Sequence, residues 1–370
     1  APIAVAMNMN LKNSGYRKLR TQDLILNSIT NYTSTFTVET GSTLDFSWAA
    51  NNTTPLVIKR TTTSAAGTNT FTSQQGSTLV ITAPDGINTA SGTTGASGQA
   101  LNLQMTTAST ISPLATFWYK GKTNQRTGTC FGTSSNGRQI IVELGSDTTT
   151  LSFDSTFGLT NDTTISATGG KLDIRKGQFI ETEDQFIFGS TDTLYMAPGT
   201  LYKIVHGSAT DPSGAGDDIP RMDGSGFPYV LTGGTIELGG TGSDHQYQRL
   251  RSDNAFYNYK YVKYSGNNIA GTFKNLNQTT TIDSALIITG SPIVDCFTGG
   301  TGSAASFVGN GGLIMDGGLL RIRKRTDTNP ELEGINADYN LTGGTIEFYG
   351  TAGAGNRQQI RGNYGSPAKL

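Results

Sequence analysis

A thirteen-residue phrase occurs twice in this chain with few changes, Tyr229-Val-Leu-Thr-Gly-Gly-Thr-Ile-Glu-Leu-Gly-Gly-Thr241 and Tyr339-Asn-Leu-Thr-Gly-Gly-Thr-Ile-Glu-Phe-Tyr-Gly-Thr351, 110 positions apart. Gln248-Arg249-Leu250-Arg251 falls on Gln358-Gln359-Ile360-Arg361 at the same offset, so the duplication predicts a structural unit together with its following turn. Self-similarity of this kind marks stacked architectures, in which one turn cannot bury its apolar side alone and needs a neighbour of similar shape. The fold class expected is all-β: a right-handed parallel β-helix, or β-solenoid, with loop insertions.

Composition agrees with a narrow coil. Gly is 48 of 370 residues and charged residues make up 15%, against about 25% in ordinary globular chains. Thr favours strands, and Gly and Asn supply the positive-φ corners between them. A hydrophobic fraction of 35% suffices, because only one strand residue in two must face inward. With 27 basic and 28 acidic residues the net charge of -1 gives no field favouring nucleic acid or an anionic membrane, so neither is expected as a partner. No apolar run approaches the ~20 residues of a membrane span. The start, Ala1-Pro-Ile-Ala-Val-Ala, lacks a basic region and an initiator Met and reads as a processed or cut end. Cys130 and Cys296 lack any partner motif and read as small buried hydrophobes, with a disulfide between them as the alternative.

Short alternating segments recur along the chain, among them Thr35-Phe-Thr-Val38, Thr78-Leu-Val-Ile-Thr82, Gln139-Ile-Ile-Val-Glu143 and Thr200-Leu-Tyr-Lys-Ile-Val205, most of them entered through Gly, Asn, Asp or Ser. Leu19 to Ser28 is the one stretch that reads as helical, as a cap or edge cover. A second repeat, Gly169-Gly-Lys-Leu-Asp-Ile-Arg-Lys176 against Gly317-Gly-Leu-Leu-Arg-Ile-Arg-Lys324, has an offset of 148, so Glu181 to Pro228 reads as an excursion from the coil. Residues 1–110 carry no copy of either phrase and read as an N-terminal cap with degenerate rungs. Residues 111–370 read as β-helix with repeats at 169–266 and 317–370, the whole forming one continuous elongated domain.

Few residues suggest chemistry. Gly239-Gly-Thr-Gly-Ser-Asp244 fits the first six positions of a calcium-binding nonapeptide but meets Gln246 where a large apolar residue belongs, and Gly299-Gly-Thr-Gly-Ser-Ala304 lacks the carboxylate. A plain glycine corner is the preferred reading, and no cofactor or metal is expected. The acidic loop Asp211, Asp217, Asp218 and the group Glu181, Glu183, Asp184 read as solvated turns rather than a cation site or an acid–base pair. His206 and His245 stand without a nucleophile elbow or a metal-ligand pair. No catalytic residue is assigned. Tyr257, Tyr259 and Tyr261 alternate, with Phe256 and Tyr264 on the opposite parity, and present rings that can stack on sugars or pack as a ladder. Arg321, Arg323 and Arg325 alternate likewise and can hold acidic polysaccharide, or simply form a wet outer face. Both trios are kept as candidate glycan contacts.

Leu341-Thr-Gly-Gly-Thr-Ile-Glu-Phe-Tyr-Gly350, followed by Gln358-Gln359-Ile360-Arg361-Gly362, resembles repeats in very large secreted surface proteins of Bacteroidota, including adhesins associated with gliding motility and type IX secretion. Tyr257-Asn-Tyr-Lys-Tyr261 sits where such repeats carry a Tyr-rich strand. The resemblance runs from about residue 169 to 365 and implies an extracellular, cell-surface, non-enzymatic structural or adhesive segment of a longer chain or filament, with surface glycans or other cell-surface proteins as partners. It also implies a glycoprotein, with O-glycosylation at Asp-Ser/Thr sites, here Thr148, Ser155, Thr163, Thr193 and Ser284. A β-helix polysaccharide lyase or glycoside hydrolase is the alternative. An ice-binding surface built on rows such as Thr33, Thr35 and Thr37 is a third reading, disfavoured by their irregular spacing.

Overall fold

The computed structural model describes residues 3–5, 9–12, 15–18, 24–26, 34–47, 57–60, 69–88, 101–105, 109–112, 114–128, 130, 139–153, 163–164, 169–181, 186–189, 192–205, 218–219, 221–223, 229–239, 247–250, 258–265, 273–276, 280–295, 307–308, 311–323 and 339–349. Among these residues the protein is all-β, built from parallel strands in stacked sheets, with no helix. Leu24–Leu26, inside the stretch read as helical, is a strand lying between Ile3–Val5 and Ile58–Arg60. Its Leu-Ile-Leu sequence gains two parallel neighbours and buries Leu24, a tertiary gain that overrides weak local helix propensity.

The chain forms two compact units, Ala1–Leu194 and Tyr195–Leu370. In the first, the twelve strands from Ile3–Val5 to Thr116–Tyr119 visit three sheets in rotation. Ile3–Val5, Met9–Leu11 and Tyr16–Lys18 begin the three sheets. Leu24–Leu26, Ser34–Val38 and Thr43–Asp45 add one strand to each in the same order, and Ile58–Arg60, Asn69–Ser73 and Thr78–Ile81 add the next. Alternation sends every second side chain inward. Leu44, Leu79, Phe117, Ile140 and Leu172 therefore form one register column with no exposed surface. Phe36 and Phe71, register partners one strand apart, stack at 5.9 Å between ring centroids.

The corners stack as the strands do. Ser42 N–H donates to the Glu39 carbonyl and Ser77 N–H to the Gln74 carbonyl, closing tight turns whose third residues, Gly41 and Gly76, have φ of 75° and 71°. Gly41 N–H then reaches the Gly76 carbonyl at 3.0 Å, and Gly76 N–H the Leu114 carbonyl at 3.0 Å, so the turns form a ladder of their own. The irregular segment after Ile81 is held by two buried amides. Asn102 Oδ1 accepts from Thr82 and Ala83 N–H, while Gln125 Oε1 accepts from Gly121 N–H and its Nε2 donates to the Ala83 carbonyl. Gly86 and Gly128 interlock there; a Cβ on Gly128 would lie 2.3 Å from the Ile87 carbonyl oxygen.

In the second unit Leu201–Ile204, Thr235–Gly239, Asn258–Ser265, Thr280–Ile288 and Gly312–Arg323 are successive neighbours. Tyr202, Ile236, Val262, Leu286 and Leu313 form one buried column, and Ile204, Leu238, Tyr264, Ile288 and Met315 form another. The stretch read as an excursion carries the strands Phe186–Gly189, Thr193–Met196, Leu201–Ile204 and Arg221–Asp223, so it contributes to the stacks instead of leaving them.

The duplicated phrase does not occupy equivalent places. Ile236 of the first copy lies in the column that continues through Val262, Leu286 and Leu313 to Tyr339, which opens the second copy. Thr345–Tyr349 instead registers with Leu319–Arg323, in the stack that contains Ile293–Asp295, Phe273–Leu276 and Tyr247–Leu250. The second copy is thus displaced by one wall. Its corner differs as well: Gly344 has φ 85°, whereas Gly234 does not take a left-handed φ. Ile236 is buried; Ile346 is half-buried on the last described strand.

Candidate functional site

Outward positions on three registered strands of the second unit make the most distinctive surface. On Thr235–Gly239, Ile236 and Leu238 point inward, leaving Thr235 and Glu237 outside. Parallel register with the flanking strands extends these into two outer columns, Leu201–Thr235–Tyr261 and Lys203–Glu237–Lys263. Beside the first column lies an open groove of about 650 Å³. Pro198 and Gly199 come from one corner, Thr232 and Gly233 from the next, and Thr235, Tyr261, Ser284 and Ile287 from the strands.

Local sequence builds this groove. Gly199, at φ 78°, turns the chain so that Thr200 N–H and Oγ1 both return to the Ala197 carbonyl. The next corner rests on it, with Thr232 N–H and Oγ1 donating to the Met196 carbonyl. Gly233 is required for that approach, since a Cβ there would lie 2.9 Å from Pro198 Cα. Between Tyr259 and Tyr261 the register against Thr280–Ile288 shifts: Tyr259 faces Ile282 and Tyr261 faces Ala285. This bulge places an additional residue opposite the Tyr-rich strand and brings Ser284 to the groove.

The second column is an ion-paired ladder. Lys203 Nζ lies 2.9 Å from Glu237 Oε1, Lys263 Nζ 3.0 Å from Oε2, and Ser265 Oγ donates to Oε1 at 2.5 Å. Glu237 is only 3% exposed. Burial by itself would raise the Glu237 pKa, but the hydrogen bonds from Ser265, Lys203 and Lys263 outweigh it and hold the carboxyl below its ordinary value. The same position of the second phrase, Glu347, accepts from Arg321 Nε at 2.7 Å, its register partner on the preceding strand. The shared Thr-Ile-Glu letters therefore mark a carboxylate that binds the cation of the strand before it. That role was missed from sequence, although the repeated Glu was its signal.

The tyrosine row is corrected by the structure. Tyr259 is fully buried and Tyr264, assigned the opposite parity, is buried too, because the register shift lies between Tyr259 and Tyr261. Of the trio only Tyr261 reaches the surface among the described residues; Tyr257 lies outside them. Arg321 is half-exposed but engaged by Glu347; the Arg323 side chain and Arg325 lie outside the described residues. Glu181, read as solvated, is buried, while Glu183, Asp184, Asp211, Asp217, His206, His245, Cys296, Asp244 and the run 299–304 lie outside the description. Asp218 belongs to the strand Asp218–Ile219. Cys130 is buried, with Sγ 3.6 Å from the Tyr119 hydroxyl. Thr148 is exposed in a turn, Thr193 and Ser284 are half-buried on strands, Thr163 lies in a strand, and Ser155 is outside the described residues.

The first unit carries a different surface. Thr35 registers with Thr70, and Thr37 with Thr72, which registers with Thr110. These threonines alternate with buried Phe36 and Phe71 and so share the outer face. The expectation of irregular spacing does not hold for them, although Thr33 lies outside the described residues.

Among the described residues no group of three or more His, Cys, Asp or Glu side chains is placed to hold a metal ion, and no helix is long and apolar enough to cross a membrane. Compared with known protein families, curated proteins and solved structures, the chain has no match.

Proposed function

We propose that this chain is a right-handed parallel β-helix with loop insertions, forming a non-enzymatic extracellular segment of a large bacterial surface protein, which adheres to glycans or partner proteins through the outer faces of its coils. The observation that carries the reading is the rotation of the first twelve strands, Ile3–Val5 to Thr116–Tyr119, through three parallel sheets, since a chain that returns to the same sheet at every third strand is winding. The right hand is that of nearly all parallel crossovers. The groove beside Tyr261 supplies a contact site on such a face, and many repeats in a longer chain would add their weak contacts together. The resemblance of Leu341–Gly350 to gliding-associated surface adhesins supports the location, and with it O-glycosylation at exposed Thr148.

Binding of the purified protein to immobilised cell-surface glycans, with no change in polymer length on incubation, is the expected result. Turnover of any uronic, sulfated or neutral polymer would replace this reading with the lyase or hydrolase alternative.

A second reading has the threonine array in its favour. Thr35, Thr37, Thr70 and Thr72 place hydroxyl and methyl groups about 4.8 Å apart between strands and about 6.7 Å apart along them, a regular lattice suited to ordered water or ice. Thermal hysteresis that disappears in Thr72→Lys would favour it; freezing indistinguishable from buffer would remove it.

A further inference from the structure

We propose that the groove beside Tyr261 binds a short neutral oligosaccharide, selecting uncharged sugars over sulfated or uronic ones; this rests on the glycan-binding reading above and narrows it to one site and one ligand class. Its volume of about 650 Å³ lies within the roughly 300–1,000 Å³ range of small-ligand sites. The lining combines one aromatic ring, Tyr261, with the hydroxyls of Thr232, Thr235 and Ser284, and includes no charged side chain. A pyranose has an apolar face that suits a ring, and a rim of hydroxyls that each donate and accept. Thr232 Oγ1 gives its proton to the Met196 carbonyl and keeps its lone pairs to accept a sugar hydroxyl.

Charge and backbone argue against other occupants. The adjoining cations, Lys203 and Lys263, are drawn onto Glu237 in the neighbouring column and do not line the groove, so no cation there is aimed at an acidic sugar. A peptide docking by strand addition needs a free sheet edge. The groove instead lies over Thr235–Gly239, which is paired on both sides by Leu201–Ile204 and Asn258–Ser265.

The test is binding of the full chain to neutral hexasaccharides (cellohexaose, laminarihexaose, mannohexaose) and acidic ones (hexauronates, chondroitin sulfate fragments) by isothermal titration at low and high salt. At least one neutral ligand should bind with little salt dependence. Tyr261→Ala should weaken it about tenfold, Thr235→Val should weaken it less, and Tyr261→Phe should stay near wild type. Retained thermal unfolding of the variants shows that the fold survives. Binding only of acidic ligands, lost in Arg321→Ala and kept in Tyr261→Ala, would overturn the groove assignment while leaving glycan binding standing. Failure to bind any member of either set would sink both.

Discussion

At the scale of single residues, Glu237 shows how a buried charge is tolerated in a wall of strands: its carboxylate is the shared acceptor of two lysines and one serine. Glu237→Gln should destabilise the second unit by about 2 kcal/mol in urea unfolding at pH 7, a figure set between a charged hydrogen bond and a fully buried ion pair because both lysines are about a third exposed. Because the folded pKa lies below the ordinary value of 4.5, this contribution is fully present above that value and is lost as pH falls through the lower, folded value. The gap between wild type and Glu237→Gln should therefore be widest near neutrality and close on acidification, as read from urea midpoints across pH. Gly128→Ala, at φ 77° and facing the Ile87 carbonyl, should lower stability by about 1–3 kcal/mol, measured as a shift of the unfolding midpoint. Residue orientation was legible wherever alternation ran unbroken, as at Ile236 and Leu238. It failed at Tyr259 because a bulge changes parity without leaving any letter in the sequence.

At the scale of strands and corners, apolar columns and stacked turns hold neighbouring rungs in register. Phe71→Ala should cost about 3–4 kcal/mol, and a double-mutant cycle with Phe36→Ala should show a coupling of about 1 kcal/mol from the lost ring stack. A coupling near zero would mean that the rings are merely adjacent. The period-two pattern located most strands, since a strand with one wet face must alternate. The phrase shared by Thr35–Leu44 and Thr70–Leu79 went unrecognised, although Phe36 falls on Phe71 and Gly41 on Gly76. Its matching letters are mostly Thr, Ser and Gly, which recur everywhere in this chain, so only the register made it visible. The helical reading around Leu24 failed for the opposite reason: three apolar residues cannot reveal the two strands they will meet.

At the scale of the whole chain, each strand of a stack pairs with its immediate neighbours, so stability should be distributed locally. Phe71→Ala should accelerate amide exchange in Ser34–Val38 and Thr110–Ile111, which pair with its strand, and leave Leu286–Ile288 in the second unit unchanged, as followed by hydrogen-exchange mass spectrometry. Uniform acceleration across both units would indicate all-or-none unfolding instead. An all-β chain was legible from repetition and composition, whereas the groove was not: it draws on Pro198, Gly233, Tyr261 and Ser284, four segments with no common pattern. The phrase Thr-Gly-Gly-Thr-Ile-Glu serves one bend in its first occurrence and the following bend in its second. A bracket that fits either of two shelves need not be ordered by position, so stacked parallel sheets can gain strands one wall at a time and still cover their apolar columns.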